Sequence, residues 1–255
     1  MTYAYMPGPE QANTDIQMLK GQAIAGCAIG IVVLELWYPL VPGNVANGST
    51  FDFPVLLKIL KGSTGEQIST AAPVLLDMIL EAGEELKRQG CRAIVGACGY
   101  FANYQKAVAE RLDLPTFLSS VLQVPIIMQG LKPDQKVGII CANAPAFTPD
   151  LMSQCGITDQ SRVVITGAQD CPEFHNIFDG TGHFNSYKVG QEIVGLAKEL
   201  VNKHPEVGAI LLECSDMPPY AWAVQNAVRL PVFDFISLIN WIYYGVVRRP
   251  FAGFI

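Results

Sequence analysis

Short apolar runs alternate with longer stretches of helical period along the whole chain. Residues 29–36, 93–97, 137–141, 163–166 and 209–212 are strand-length runs rich in Val, Ile, Leu and Ala. They are continuous rather than alternating, as strands buried on both faces of a parallel sheet are. Between them, residues 71–89 and 186–203 place apolar side chains at helical spacing, and the second stretch ends where Asn202, Lys203, His204 and Pro205 halt a helix. This alternation predicts an α/β fold built on parallel sheet.

The pattern also repeats. AIVGACGYFANYQKAVAERLDLPTF (93–117) aligns without a gap on AILLECSDMPPYAWAVQNAVRLPVF (209–233), at an offset of 116 residues, 209 less 93. Cys98 falls on Cys214, Tyr104 on Tyr220, Ala107 on Ala223, Leu114 on Leu230 and Pro115 on Pro231. A weaker match sets Gly30-Ile31 on Gly138-Ile139 at an offset of 108, 138 less 30. Repeats of this kind mark copies of one structural unit. Two pseudo-symmetric α/β lobes are therefore expected, each a parallel sheet flanked by helices, with a ligand cleft between them. The lobes span residues 1–131 and 132–234 and divide at the polar, Pro-containing LKPDQ of 131–135. Residues 235–255 begin with an apolar, aromatic stretch, predicted to be a helix that packs back across the lobes or into an interface.

Composition narrows the function. The 255 residues are 50% hydrophobic and only 16% charged, a rich core supply with a lean surface, which makes a homo-oligomer the expected state. The net charge of −6 argues against nucleic acid, whose phosphates demand clustered Lys and Arg. The apolar stretch 23–41 is interrupted by Glu35 and punctuated by Gly and Pro. It is therefore read as a buried strand and not a membrane span. Residues 1–11 lack a basic and apolar leader pattern, which predicts a cytoplasmic protein. Seven cysteines without a CxxC pair predict free thiols. His175, His183 and His204 lack metal-ligand spacing, and neither GxGxxG nor GxxxxGK[ST] occurs, so no metal and no cofactor is expected.

Cys98 and Cys214 each close an apolar strand just before a helix, where ligands collect in open α/β sheets and where amide groups and the helix dipole favour a thiolate. The other five cysteines read as small core residues. The segments GACGYF (96–101), LLECSDMPPYA (211–221) and VPGNVANGSTFDFPV (41–55) resemble the aspartate/glutamate racemase superfamily. Its members include hydantoin racemases, arylmalonate decarboxylases and maleate isomerases, and the resemblance covers nearly the whole chain.

That resemblance implies a cofactor-independent isomerase, a racemase or epimerase of an amino-acid-like carboxylate. In it, one cysteine removes the α-proton and the other delivers a proton to the opposite face. The substrate carboxylate would meet backbone amides and polar groups after each cysteine and in the first loop. The candidates are Gly99, Tyr100, Phe101 and Ser215, with Asn47, Ser49 and Thr50 in the loop, and Ser119 and Ser120 after the strand at 116–118. The chain departs from glutamate racemases, which carry Asp-Ser after the first strand and His after the second cysteine. Here Glu35 and Trp37 stand near the first place and Ser215-Asp216-Met217 at the second. Two further expectations are a one-cysteine cis–trans isomerase or decarboxylase of a small dicarboxylate, and a non-catalytic two-lobed binder of a small acid.

Overall fold

The computed structural model describes residues 20–255; the reading that residues 1–11 lack a leader pattern falls on residues outside them. Among the described residues, eight strands form two parallel four-stranded sheets. The first sheet holds β1 (Ile29–Leu34), β2 (Val55–Leu60), β3 (Ala93–Gly96) and β4 (Thr116–Phe117) in the order β2-β1-β3-β4. The second holds β5 (Lys136–Cys141), β6 (Val163–Gly167), β7 (Val207–Leu212) and β8 (Val232–Phe233) in the order β6-β5-β7-β8. The central strands are apolar throughout because helices cover both faces: β3 and β7 are buried at every residue.

The helices are α1 (Gly65–Ser69), α2 (Val74–Arg88), α3 (Gln105–Arg111), α4 (Val124–Gly130), α5 (Pro149–Gln154), α6 (His175–Phe178), α7 (Ser186–Lys203), α8 (Ala221–Val228) and α9 (Phe235–Val246). In α7 the side chain of Asn185 caps the first turn by accepting from the Lys188 amide. The buried stripe Val189, Ile193, Ala197 and Leu200 then recurs every three or four residues.

The repeat is reproduced in three dimensions. β4 and β8, and α3 and α8, begin 116 residues apart, at Thr116 and Val232 and at Gln105 and Ala221. Gly30 pairs with Ile94, and Gly138 with Ile210. A Cβ on Gly30 would lie 2.9 Å from Leu86 of α2, and one on Gly138 2.6 Å from Leu200 of α7. Each glycine thus lets the helix that leads into the third strand of its lobe, α2 or α7, seat on the sheet.

The lobes also exchange cover. The segment after β4, Ser120–Gln123 followed by α4, packs on β7 and β5 of the second sheet. α9, after β8, packs on the first sheet, where Phe235, Leu238, Ile239 and Ile242 join Ile29, Ile31, Ala93 and Val95 in one buried cluster. A capping box of Asp234 and Ser237 starts α9. Gln123 binds both ends of that box, donating to the Asp234 carbonyl at 2.8 Å and accepting from Ser237 Oγ at 2.9 Å. No described helix is long and apolar enough to cross a membrane, and within residues 23–41 the regular element is β1.

Gly96, the last residue of β3, carries a direct test. A Cβ there would meet the Leu118 carbonyl oxygen at 2.3 Å and the Phe101 ring at 2.8 Å. Backbone cannot give way as a flexible side chain can, so Gly96→Ala is expected to destabilise by about 3 kcal/mol in urea denaturation. Gly130→Ala, at the open end of α4 with no atom within 4 Å, is expected to leave stability unchanged or slightly raised.

Candidate active site

Both cysteines leave the sheet at equivalent points. The Ala97 amide donates to the Val32 carbonyl at 2.8 Å and the Glu213 amide to Ile140 at 2.9 Å, so the chain exits each sheet by the same hydrogen bond, one residue before its cysteine. Cys98 and Cys214 then face a cavity of about 440 Å³ between the lobes and remain partly accessible from it. Gly99, Tyr100 and Ser215 line the same cavity, so five of the expected site residues converge there.

The remaining expected residues stand elsewhere. Asn47 accepts from the amide and hydroxyl of Ser49 and donates to the Leu40 carbonyl at 2.8 Å, which is turn chemistry. Thr50 Oγ1 donates to the Asn44 carbonyl and accepts from the Gly43 amide, bracing the same loop. Phe101 is fully buried in the core. Ser119 caps the turn after β4, and Ser120 Oγ donates to the Glu213 carbonyl at 3.0 Å across the lobes. None of these six lines the cavity.

The loop instead reaches the site through Asn44. Its Nδ2 donates to Asp216 Oδ1 at 2.5 Å while its Oδ1 accepts from the Ala46 amide. Asp216 Oδ2 in turn accepts from the Cys214 thiol at 3.3 Å, and Tyr38 bonds the same carboxyl. Gly43, at φ +98°, lies against Pro219, where a Cβ would come within 3.0 Å of backbone. The first-lobe loop is thereby pressed onto the second cysteine segment.

Glu213 is the other group that sequence reasoning missed. In the repeat it takes the place of Ala97, a methyl exchanged for a carboxyl. It is 1% exposed; its Oε2 accepts from the Ala142 amide at 3.0 Å, and its Oε1 has no partner. That oxygen sits where a Cβ on residue 99 would be, which is why the residue after Cys98 is glycine.

Burial dominates the electrostatics. It pushes the Cys98 thiol up, with Glu213 adding to the effect and the Tyr100 and Phe101 amides opposing it. Burial likewise raises Cys214 well above the ordinary thiol range, helped by Asp216 and Glu213. Glu213 itself is raised to about 8 by burial, against the Ala142 amide. Asp216 is raised by burial, with Cys214, Tyr38 and Asn44 pulling the other way through hydrogen bonds.

Two lobes of identical strand order about a cleft are a fold shared with arylmalonate decarboxylase and aspartate racemase structures. Solved structures agree: unliganded arylmalonate decarboxylase superposes with a TM-score of 0.55 at 14% identity, over 88% of this chain and 94% of that one. An aspartate racemase homologue from Pyrococcus horikoshii gives 0.54 at 16% identity, over 87% and 99%. No family model matches the chain.

Curated sequences are more specific. Dimethylsulfoniopropionate lyase from Durusdinium is 30% identical over 92% of this chain and 80% of its own length. Dimethylsulfoniopropionate lyase 7 from Emiliania huxleyi is 31% identical over 89% and 69%, and lyase 3 from the same alga 30% over 95% and 65%. The chain belongs to the dimethylsulfoniopropionate lyase family, and spans roughly two thirds to four fifths of these relatives' length. This overturns the expected racemase or epimerase, its one-cysteine isomerase or decarboxylase variants, and the non-catalytic binder. The fold is shared with racemases, but the sequence relatives are lyases and not isomerases.

Glu213 makes stability depend on pH. Its folded pKa, about 8, exceeds the ordinary 4.5. The contribution is therefore fully present below pH 4.5 and is lost as pH rises towards 8. Glu213→Gln removes this loss. In denaturant titrations the variant is expected to gain on the wild type through that window, by on the order of 1 kcal/mol per pH unit.

Proposed function

We propose that the chain is a carbon–sulfur lyase that releases dimethyl sulfide from dimethylsulfoniopropionate by β-elimination, with Cys214 as the base. The observation that carries this reading is the Cys214–Asp216 pair: a thiol donating to a buried carboxylate at 3.3 Å, open to the cavity between the lobes.

The chemistry follows from the substrate named for the relatives. The carbon next to its carboxylate carries the proton to be removed, and the β-carbon carries a sulfonium. Asp216, whose proton affinity burial has raised, takes the Cys214 proton. The thiolate then removes the α-proton, the electron pair forms the Cα–Cβ double bond, and the C–S bond breaks with its electrons leaving on sulfur. Acrylate and neutral dimethyl sulfide result; Cys214 is again a thiol, and Asp216 releases its proton to solvent. In this reading the backbone amides of Gly99 and Ser215, residues that line the cavity, take the substrate carboxylate as charge builds on it in the transition state.

A sulfide leaves without needing a proton, so this elimination asks for one base and no opposing acid. A racemase needs both. The same cysteine pair therefore serves a lyase with its two members doing unequal work, as their neighbours already differ: Cys214 has Asp216, whereas Cys98 has the Tyr100 and Phe101 amides.

Dimethyl sulfide release measured by headspace analysis tests the reading. Cys214→Ser is expected to lower kcat/KM by about 10²- to 10⁴-fold, the range lost with a general base. Cys98→Ser is expected to keep measurable release. Loss of activity in Cys98→Ser with retention in Cys214→Ser would reverse the assignment, and no release by the wild type would end it.

A further inference from the structure

The cavity that holds the two thiols is acidic and aromatic, and contains no counter-charge. Glu66, Glu213 and Asp216 line it, as do the rings of Tyr38, Tyr100, Phe174 and Phe178. Among the described residues no Lys, Arg or His does. Burying an anion without a cation is costly, and removing one partner of a buried pair exposes that cost in full. A site built this way either stays protonated or receives its positive charge from a ligand.

The state of Glu213 points to the ligand. Its Oε1 is buried with no partner although the other oxygen is satisfied, and such an orphan calls for an explanation. The groups around it are Cys98 and Tyr100 from the segment after β3, Cys141 at the end of β5, Cys155 just beyond α5, and Cys214 and Asp216 from its own loop. Lys106 on α3 acts on Cys155. All those that border Glu213 directly are neutral acids or anions. Aromatic faces add attraction for a cation that has shed its water.

We propose that Asp216 and Glu213, walled by the rings of Tyr38 and Phe174, form a subsite for an onium group, a sulfonium or quaternary ammonium. We further propose that the onium's arrival expels a proton from the buried acids. A cation lacking N–H donors suits apolar and aromatic walls with few acceptors, where a primary ammonium would lose its hydrogen bonds. The substrate thus brings the charge that the protein omits, and the anionic form of the thiol–carboxyl cluster becomes favourable once the onium is seated. The choice of sulfonium rests on the lyase reading; the need for a cation rests on the lining of the cavity.

Calorimetry with two non-eliminating probes tests this. Trimethylammonioacetate carries the onium and has no β-carbon from which to eliminate, and 3,3-dimethylbutanoate is its neutral isostere with the same carboxylate. The onium probe is expected to bind at least ~10-fold tighter. Titrations in buffers of different ionisation heat are expected to show proton release at pH 7 with the onium probe only. Glu213→Gln is expected to reduce that release. Equal affinity for the two probes, or no proton release by the wild type, overturns the proposal without reliance on any variant. Neither readout needs turnover: onium binding with proton release but no dimethyl sulfide would leave the subsite standing and remove the lyase reading. Dimethyl sulfide release without discrimination between the probes would do the opposite.

Discussion

Two thiols and two buried carboxyls share one cavity between the lobes, and the first-lobe loop is held against them by Asn44, bonded to Asp216 at 2.5 Å, and by the Val45 amide, which donates to the Ser215 carbonyl at 3.3 Å. Taking acids out of water favours their protonated forms. Every group in the cluster is accordingly shifted upward, and burial is the first cause for each of Cys98, Cys214, Glu213 and Asp216. Burial therefore favours protonated acids where the proposed reaction requires a base. In the proposed reaction the proton acceptor beside Cys214 and the cationic substrate are the two means of releasing a proton.

Pseudo-symmetry builds this cluster and then departs from it. The two sheets have the same strand order, the same exit hydrogen bonds and the same glycine beneath the crossover helix. Each lobe also covers the other's sheet, through α4 in one direction and α9 in the other. The departures fall at the site: Ala97 faces Glu213, and Tyr100 faces Asp216, at equivalent positions. Tyr100 reaches across to the second lobe, where its hydroxyl donates to the Asn143 carbonyl at 2.8 Å, and Asp216 reaches the first lobe through Asn44. The scaffold is twofold while the groups around the two thiols differ, which suits an elimination better than a stereoinversion.

Much of the fold was legible because its signals are local. Buried parallel strands read as unbroken apolar runs, and the helix at 186–203 was bounded by its own stop residues. β2 was not recognised: it is an edge strand interrupted by Lys58, with Leu57 and Ile59 exposed, and it follows a loop rich in turn residues. The cysteine pair emerged from the repeat. Asn44, Tyr38 and Glu213 did not, since their roles arise from contacts between segments far apart in the chain, and Asn44 meets Asp216 across 172 residues. Comparing unlike residues within the repeat would have singled out Glu213, because a carboxyl opposite a methyl in a buried strand end demands a reason. The reaction itself was misjudged because two matched cysteines suggest matched roles, whereas a leaving group that departs neutral needs only one of them.

The proposed elimination turns on removal of the α-proton by Cys214. Dimethylsulfoniopropionate deuterated at the carbon beside its carboxylate tests that step directly, by comparing its turnover with that of the unlabelled substrate while following acrylate and dimethyl sulfide together. Elimination predicts equal amounts of the two products and slower turnover of the deuterated substrate. Formation of hydroxypropionate in place of acrylate would show displacement at the β-carbon, and would contradict elimination by a thiolate base.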